Sequence, residues 1–470
     1  MTEKETFYDR LTCFFVLAYG ALTSGLALMR HANFGLRIGD LAIYSQAIWG
    51  NLHGLFMKVT LLKHTHDSEV AISFFNLHFA PILVLVSPIF KLVPLPEGLI
   101  VFKCLLIAAA GFVLYEVGKR CLEAPQAFFV AMLFLISPNS MGCIHDSFHL
   151  DYFGPLIFFL VIYFYLKESL APFVISCILF LMIKESFAPT LLILGLSLFI
   201  KRDRSKQWAL WPIALSLLYG AAAYFVFDVL HQAARPDPTV DFRPMFFHNL
   251  TPASLLGELF GARFVDHLWF FVHGFKFLTF LTPAFLLWAP QAAINLALRL
   301  PFGDHYGTLL SAIMFLTLLP ALQKINLGLS KKSPGFRSAV LALIFLGGSF
   351  TSFESLKILN PKHYTPNPRK GVLKAVLKLV PEEASVSASE IFLPRLSRRK
   401  ELDFVNHEKF KSYYEYILLD LNREDSTHIE WPVVEGSWKP FLEKTDRYEL
   451  LYNKENIRLY RRKSLDSLDK

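Results

Sequence analysis

Four groups of ionisable residues sit at the ends of apolar segments, where chemistry could be done: Asp40; Asp146, His149 and Asp151; Lys184 and Glu185; and Asp304, His305 and Tyr306. Carboxylates and imidazoles accept protons, and an ammonium holds an anion. Charges in or beside a membrane are costly, so they are functional candidates by default, with structural ion pairs as the competing reading. For one group alone the two readings weigh about equally. The topology argued below places all four on one side of a membrane, which favours function.

Asp40 opens the stretch Asp40-Leu-Ala-Ile-Tyr44-Ser-Gln46-Ala-Ile-Trp49. Gly39-Asp40 reads as a helix start, where an aspartate accepts from free N–H groups of the first turn. Leu41, Tyr44, Ile48, Leu52 and Leu55 then recur on one face, with Asp40, Gln46 and Asn51 off it. The spacing predicts a helix resting on a membrane or protein surface, with a carboxylate at its leading end. On the plainer reading Asp40 is only the cap.

A composition 54% hydrophobic, 15% aromatic and 18% charged over 470 residues is that of a polytopic α-helical membrane protein with a polar tail. The net charge of +8 is no sign of nucleic acid. Much of it lies in short loops, where Lys and Arg fix orientation. The five cysteines show neither metal nor redox spacing.

Residues 11–30 are the first spanning segment. Glu3, Glu5 and Asp9 make a poor signal-peptide leader, so the segment reads as an uncleaved anchor. His64-Thr-His66-Asp67 is a weak metal signal, better read as a solvated loop. His78-Phe-Ala-Pro81 opens an apolar run to Leu92 that is short for a bilayer core of roughly 30 Å, so it reads as a second interfacial or re-entrant helix. Crossings follow at 97–117, 125–138 and 152–167. Lys119 and Arg120 mark one loop cytoplasmic, whereas residues 139–151 hold no Lys or Arg.

Residues 170–200 would run about 46 Å as one helix. Lys184-Glu185 lies in their middle, and each mid-bilayer charge costs roughly 2.5–3.5 kcal/mol. Two short crossings meeting at that pair resolve the conflict. Another crossing fits 208–229. An outer loop at 230–263 follows, with an amphipathic piece near 253–263. Residues 264–299 fit two short crossings, or one crossing plus an interfacial helix. The last crossings are 306–323 and 337–354. The count is about eleven, with the N-terminus cytoplasmic and the C-terminus outside.

After Asn360 the composition turns polar. Pro361, Pro366 and Pro368 mark a linker. A helix is expected at 371–380 and strands at 385–389, 401–405, 414–420, 448–452 and 457–461. The chain thus divides into a transmembrane domain, 1–358, and a small extracytoplasmic α/β domain, 359–470.

The Asp40–Trp49 stretch resembles the acidic first-loop motif of a large uncharacterised family of bacterial membrane proteins, itself similar to the GT-C class of polyprenyl-phosphate-sugar-dependent glycosyltransferases. The likeness continues at His78-Phe-Ala-Pro81, Asp146-Ser-Phe-His149, Lys184-Glu185, His305-Tyr306 and the C-terminal Ser385-Val-Ser-Ala-Ser389, Leu396-Ser-Arg398-Arg399 and Tyr416-Ile-Leu-Leu-Asp420. Ala42 replaces a usual Gly, and Ser45 a frequent Asp, which throws the base role onto Asp40. The resemblance implies a GT-C-like fold in the bacterial inner membrane and a polyprenyl-phosphate sugar donor, with a glycan, lipid or protein acceptor.

In that scheme Asp40 is the base, Lys184 the phosphate clamp, and His149 or His305 a helper. Asp146, Asp151, His78, Glu185, Tyr306 and Gln46 join the substrate site. Glu185 is as well suited to pairing with Lys184 as to acting itself. Asp40, on the outer rim, is expected to keep a low pKa. A divalent metal is not indicated, since no carboxylate pair at ligand spacing accompanies Asp40. A lipid-linked substrate transporter or flippase, or a non-catalytic scaffold, is the alternative.

Overall fold

Apolar helices that break where charges or prolines fall build most of the chain. The computed structural model describes residues 3–36, 39–61, 72–234, 251–405, 414–422, 434–444 and 447–463. His64, His66 and Asp67, and residues 235–250 of the expected outer loop, lie outside the described residues. The first ten helices are α1 (Glu3–Ala32), α2 (Asp40–Leu52), α3 (Ile82–Val86), α4 (Glu97–Gly118), α5 (Ala124–Leu135), α6 (Pro138–Met141), α7 (Phe153–Leu166), α8 (Leu170–Leu181), α9 (Ala188–Lys201) and α10 (Gln207–Ala234). α4 is central, packing on α1, α5 and α7, while α9 pairs with α10.

Among the described residues, five helices are long and apolar enough to cross a membrane alone: Glu5–Ala32, Glu97–Gly118, Gln207–Val226, His305–Leu329 and Pro334–Ser352. α5 and the Pro138–Ile144 helix, bent by 55° against each other, together make a sixth. The other segments expected to cross are shorter. Lys184 does mark a break: its backbone is extended between α8 and a 3-10 turn at Glu185–Phe187, after which α9 begins. Residues 264–299 hold no long helix. They form Phe264–Val272, a 3-10 run at His273–Leu281, Pro283–Leu287 and Ala289–Ala297, with left-handed backbone at Gly274 and Phe275 and prolines opening the last two pieces.

α2 is not a helix lying on a surface. Leu41 to Ile48 and Gly50 are all buried. On one side the Tyr44 ring meets Phe74 and Phe148, at centroid distances of 5.0 and 5.1 Å. On the other lies the C-terminal sheet. A short antiparallel pair, β1 (Lys58–Val59) and β2 (Ile72–Ser73), follows α2. The sheet itself is built from β3 (Val386–Ala388), β4 (Leu402–Phe404), β5 (Tyr416–Asp420), β6 (Tyr448–Lys454) and β7 (Ile457–Arg462), in the order β4-β3-β5-β7-β6. β3 is parallel to β4 and β5; β7 runs antiparallel to β5 and β6.

Hydrogen bonds join α2 to this sheet. Ser397 Oγ donates to Ser45 Oγ at 2.7 Å. Gln46 Nε2 donates to Thr60 Oγ1 at 2.8 Å and to the Arg399 carbonyl at 3.2 Å. Thr60 Oγ1 donates to the Leu402 carbonyl and accepts from Leu402 N–H. Gly39 is needed here, since a Cβ would stand 2.3 Å from the Phe404 ring.

Candidate functional site

Asp40 is the first residue of α2. Gly39 holds the cap position, without a side-chain cap bond, so Asp40 lies inside the helix rather than capping it. Its nearest recorded ionic neighbour is His149 Nε2, 3.8 Å from Asp40 Oδ2 and beyond hydrogen-bond range. The His149 imidazole lies flat on His305, with centroids 3.4 Å apart and planes within 5°. His305 in turn contacts the Tyr306 ring, over which Lys184 Nζ stands at 5.6 Å from the centroid. Lys184 closes the chain of contacts on Asp151 Oδ2 at 3.4 Å. Asp40, His149, His305, Tyr306, Lys184 and Asp151 therefore form one connected cluster, drawn from four separate stretches.

The other acids face elsewhere. Glu185 does not pair with Lys184: it accepts from His78 Nδ1 at 2.9 Å and from Phe79 N–H at 3.2 Å. His78 and Glu185 thus tie the second loop segment to the break between α8 and α9, and Tyr219 O–H donates to the Phe79 carbonyl from α10. Asp146 Oδ2 accepts from Tyr152 O–H at 2.8 Å. Asp304 Oδ1 accepts from Tyr306 N–H at 3.0 Å, shaping the turn that presents His305. Gln46, grouped with the substrate residues in the sequence, is instead buried between α2, Thr60 and Arg399. A polar residue off an apolar stripe looks solvent-facing until another layer covers it.

Burial sets the electrostatics. Asp40 keeps 41% side-chain exposure, yet protein crowds it on most sides. That loss of water raises its carboxyl above the ordinary 3.8, with the His78 charge opposing, so the expectation of an unburied, low-pKa carboxylate is corrected. His149 is pushed well below 6.5 by burial and the adjoining His305, and it stands neutral beside Asp40. Burial raises Asp304 to about 6. Among the described residues no three His, Cys, Asp or Glu side chains group as metal ligands.

The model of one family matches residues 30–450, most of the chain. The chain belongs to the DUF2079 family of predicted membrane proteins. No curated protein matches it. Its fold is similar to that of ArnT from Cupriavidus metallidurans, solved with undecaprenyl phosphate: TM-score 0.56 and 10% identity, over 95% of this chain and 97% of that one. It is also similar to the archaeal oligosaccharyltransferase AglB from Archaeoglobus fulgidus, solved with an inhibitory peptide and a dolichol-phosphate. There the TM-score is 0.50 and identity 12%, over 96% of this chain and 75% of that one. This DUF2079 chain is thus a mainly α membrane protein of GT-C-like fold with a small C-terminal sheet.

Further residues build the site of this DUF2079 protein without having stood out in the sequence. Lys103, fully buried in α4, donates to the Asp146 carbonyl and, at 3.2 Å, to the Ser147 carbonyl. A lone lysine amid Val-Phe and Cys-Leu-Leu was the available signal. Asn139 Nδ2 holds the carbonyls of Phe302 and Asp304 at 2.8 and 2.9 Å, and Asn295 Nδ2 holds that of Tyr306. Gly307 follows because a Cβ there would meet the Phe302 carbonyl at 1.8 Å.

Proposed function

We propose that this protein moves a sugar from a polyprenyl-phosphate donor to a hydroxyl of a glycan, lipid or protein at the outer face of a bacterial inner membrane, with Asp40 as base. One observation carries this reading. Of the five carboxylates at Asp40, Asp146, Asp151, Glu185 and Asp304, only that of Asp40 receives no hydrogen bond from a described residue. A carboxylate with no donor to satisfy it, and with a raised proton affinity, is the one suited to general-base work. Two proteins of this fold were solved with polyprenyl or dolichol phosphates, which supports that class of donor.

The acceptor hydroxyl gives its proton to Asp40 as its oxygen bonds the sugar's anomeric carbon. The bond from that carbon to the phosphate oxygen breaks, and its electron pair leaves with the polyprenyl phosphate. A phosphate departs as a stable anion, so no acid is needed on it, in contrast to the paired carboxylates of glycosidases. Lys184 attracts the departing charge, and Asp151 keeps its ammonium aimed. His305 Nε2 is buried with no hydrogen-bond partner among the described residues, an unsatisfied polar group beside the proposed site.

The test is to profile membrane glycolipids and glycans in cells carrying the wild type or Asp40→Asn. Asp40 lies inside the helix rather than at its cap and the variant keeps its size, so it should accumulate normally while the product disappears. Because it also removes a poorly solvated charge, its stability should match or slightly exceed the wild type, by at most about 0.5 kcal/mol after solvent screening. Unchanged product in Asp40→Asn would sink the base assignment. Loss of the protein itself would return Asp40 to a structural role.

A further inference from the structure

The turn that leads into the Asp146–His149 loop carries a thiol that sugar transfer leaves unused. Cys143, in the 3-10 turn at Gly142–Ile144, and Cys104, in α4, are both fully buried, and α4 packs against that turn. Cys104 Sγ lies 3.8 Å from the Cys143 carbonyl, and the two thiols hydrogen-bond to each other. Tyr19 of α1 closes on the pair: its hydroxyl donates to the Ser140 carbonyl at 2.8 Å and stands 3.7 Å from Cys143 Sγ. Both sulfurs are thiols in this structure. The other three cysteines stand on other elements: Cys13 is exposed on α1, Cys121 follows α4 beside Lys119 and Arg120, and Cys177 is buried in α8.

Depth and compartment give the pair a chemistry. Lys119 and Arg120 follow the cytoplasmic end of α4, so Glu97 opens it on the side of residues 139–151. Cys104 stands about two turns in from Glu97, roughly 10 Å along the axis, so both sulfurs lie toward the outer face. Thiols on that side of a bacterial inner membrane meet an oxidising compartment, whereas cytosolic thiols are kept reduced. Zinc is a poor fit, since among the described residues no third His, Cys, Asp or Glu groups with the two thiols. The position also bears on the site. Lys103, next to Cys104, holds the Asp146 and Ser147 carbonyls. A bond from Cys104 to Cys143 would fasten the same loop at its start, ahead of His149 and its contact with Asp40.

We propose that Cys104 and Cys143 are joined as a disulfide by a thiol–disulfide oxidant of the extracytoplasmic space, and that the bridge fastens the loop carrying His149 to the central helix. One cysteine, as its thiolate, attacks the oxidant's disulfide and releases one of its sulfurs. The second cysteine then displaces the oxidant's other sulfur. The Cys104–Cys143 bond forms, the oxidant's S–S bond breaks, and its two sulfurs leave as thiols with the two protons and two electrons. This happens as the loop folds onto α4, while the thiols are still within reach. Burial afterwards shields the bridge from reductants. The proposal rests on the outer-face orientation and not on sugar transfer.

The test counts free thiols in the protein in membranes of aerobically grown bacteria, trapped with acid, dissolved in SDS and labelled with a maleimide. Without reductant three of the five cysteines should take the label, and after reduction all five. Digestion without reductant should release one linked pair of peptides, containing Cys104 and Cys143. Cys104→Ser should free Cys143 for labelling, and Cys177→Ser should leave the linked pair in place. The wild type alone gives both the count and the linked pair, so the result stands even where a variant fails to fold. Five labelled cysteines without reductant, or a linked pair lacking either residue, would overturn the bridge. A reporter fused after Lys470 reads the orientation separately: a missing bridge with that reporter outside condemns the bridge alone, and with it inside condemns both.

Discussion

At the scale of residues, Asp40 and His149 lie 3.8 Å apart and are both driven toward their neutral forms, the acid upward and the imidazole downward. The consequence for stability has a definite sign. His149 binds a proton less readily when folded than when unfolded, so its contribution is present above its ordinary 6.5 and is lost as pH falls below it. Asp304, raised to about 6, acts in the opposite sense and favours the folded state as pH falls from about 6 toward 3.8. Thermal melts between pH 7 and pH 5 should therefore show a smaller loss of stability, or a gain, in His149→Gln. The two proteins should diverge by a few degrees at the acid end, and parallel curves would show that His149 is not buried neutral. These residues were legible because each interrupts or ends an apolar run. Lys103 was not, since nothing local tells an anchoring lysine from one that tilts its ammonium out to water.

At the scale of elements, hydropathy located the helices and alternation located all five strands of the sheet to within two residues at most ends. Residues 264–299 escaped because hydropathy reports preference for lipid, while Gly274 and the prolines decide how far a helix runs. α2 was misread for another reason: its stripe was real, but its polar side is covered as well. Thr60 is the joint of that cover, holding Gln46 and both backbone groups of Leu402. Thr60→Val should strand those partners at a cost of about 1–3 kcal/mol. In hydrogen exchange this should appear as faster exchange over residues 41–50 and 402–404, with α4 and α10 unchanged. Uniform acceleration across the chain, or none, would argue against a local joint.

At the scale of the molecule, the proposal of an outer-facing site depends on orientation, which rests on the alternation of Lys- and Arg-bearing loops. A reporter active only in the cytoplasm, fused after Lys470, should be silent, and one active only outside should report. The reverse would move the Asp40 cluster to the cytoplasmic face. The proposed division at residues 358/359 rests on the change in composition, and no sequence signal announced that the C-terminal sheet would seat on α2. Ser45 and Ser397 meet across 352 positions, and local pattern carries no record of so distant a partner.

That distance also has a meaning in time. The helix bearing the proposed base is among the first elements to leave the ribosome, and the residues that cover it are among the last. At about 5–20 residues per second, some 350 positions correspond to roughly 20–70 s of synthesis. Through that interval Gln46 and Thr60 can bond to each other, but the groups that Ser397, Arg399 and Leu402 will engage have only water or a helper protein. The half-made chain thus holds its helices without a finished catalytic face. A nascent product released early would be inserted but inert, and its uncovered α2 would give quality-control machinery a feature by which to recognise it.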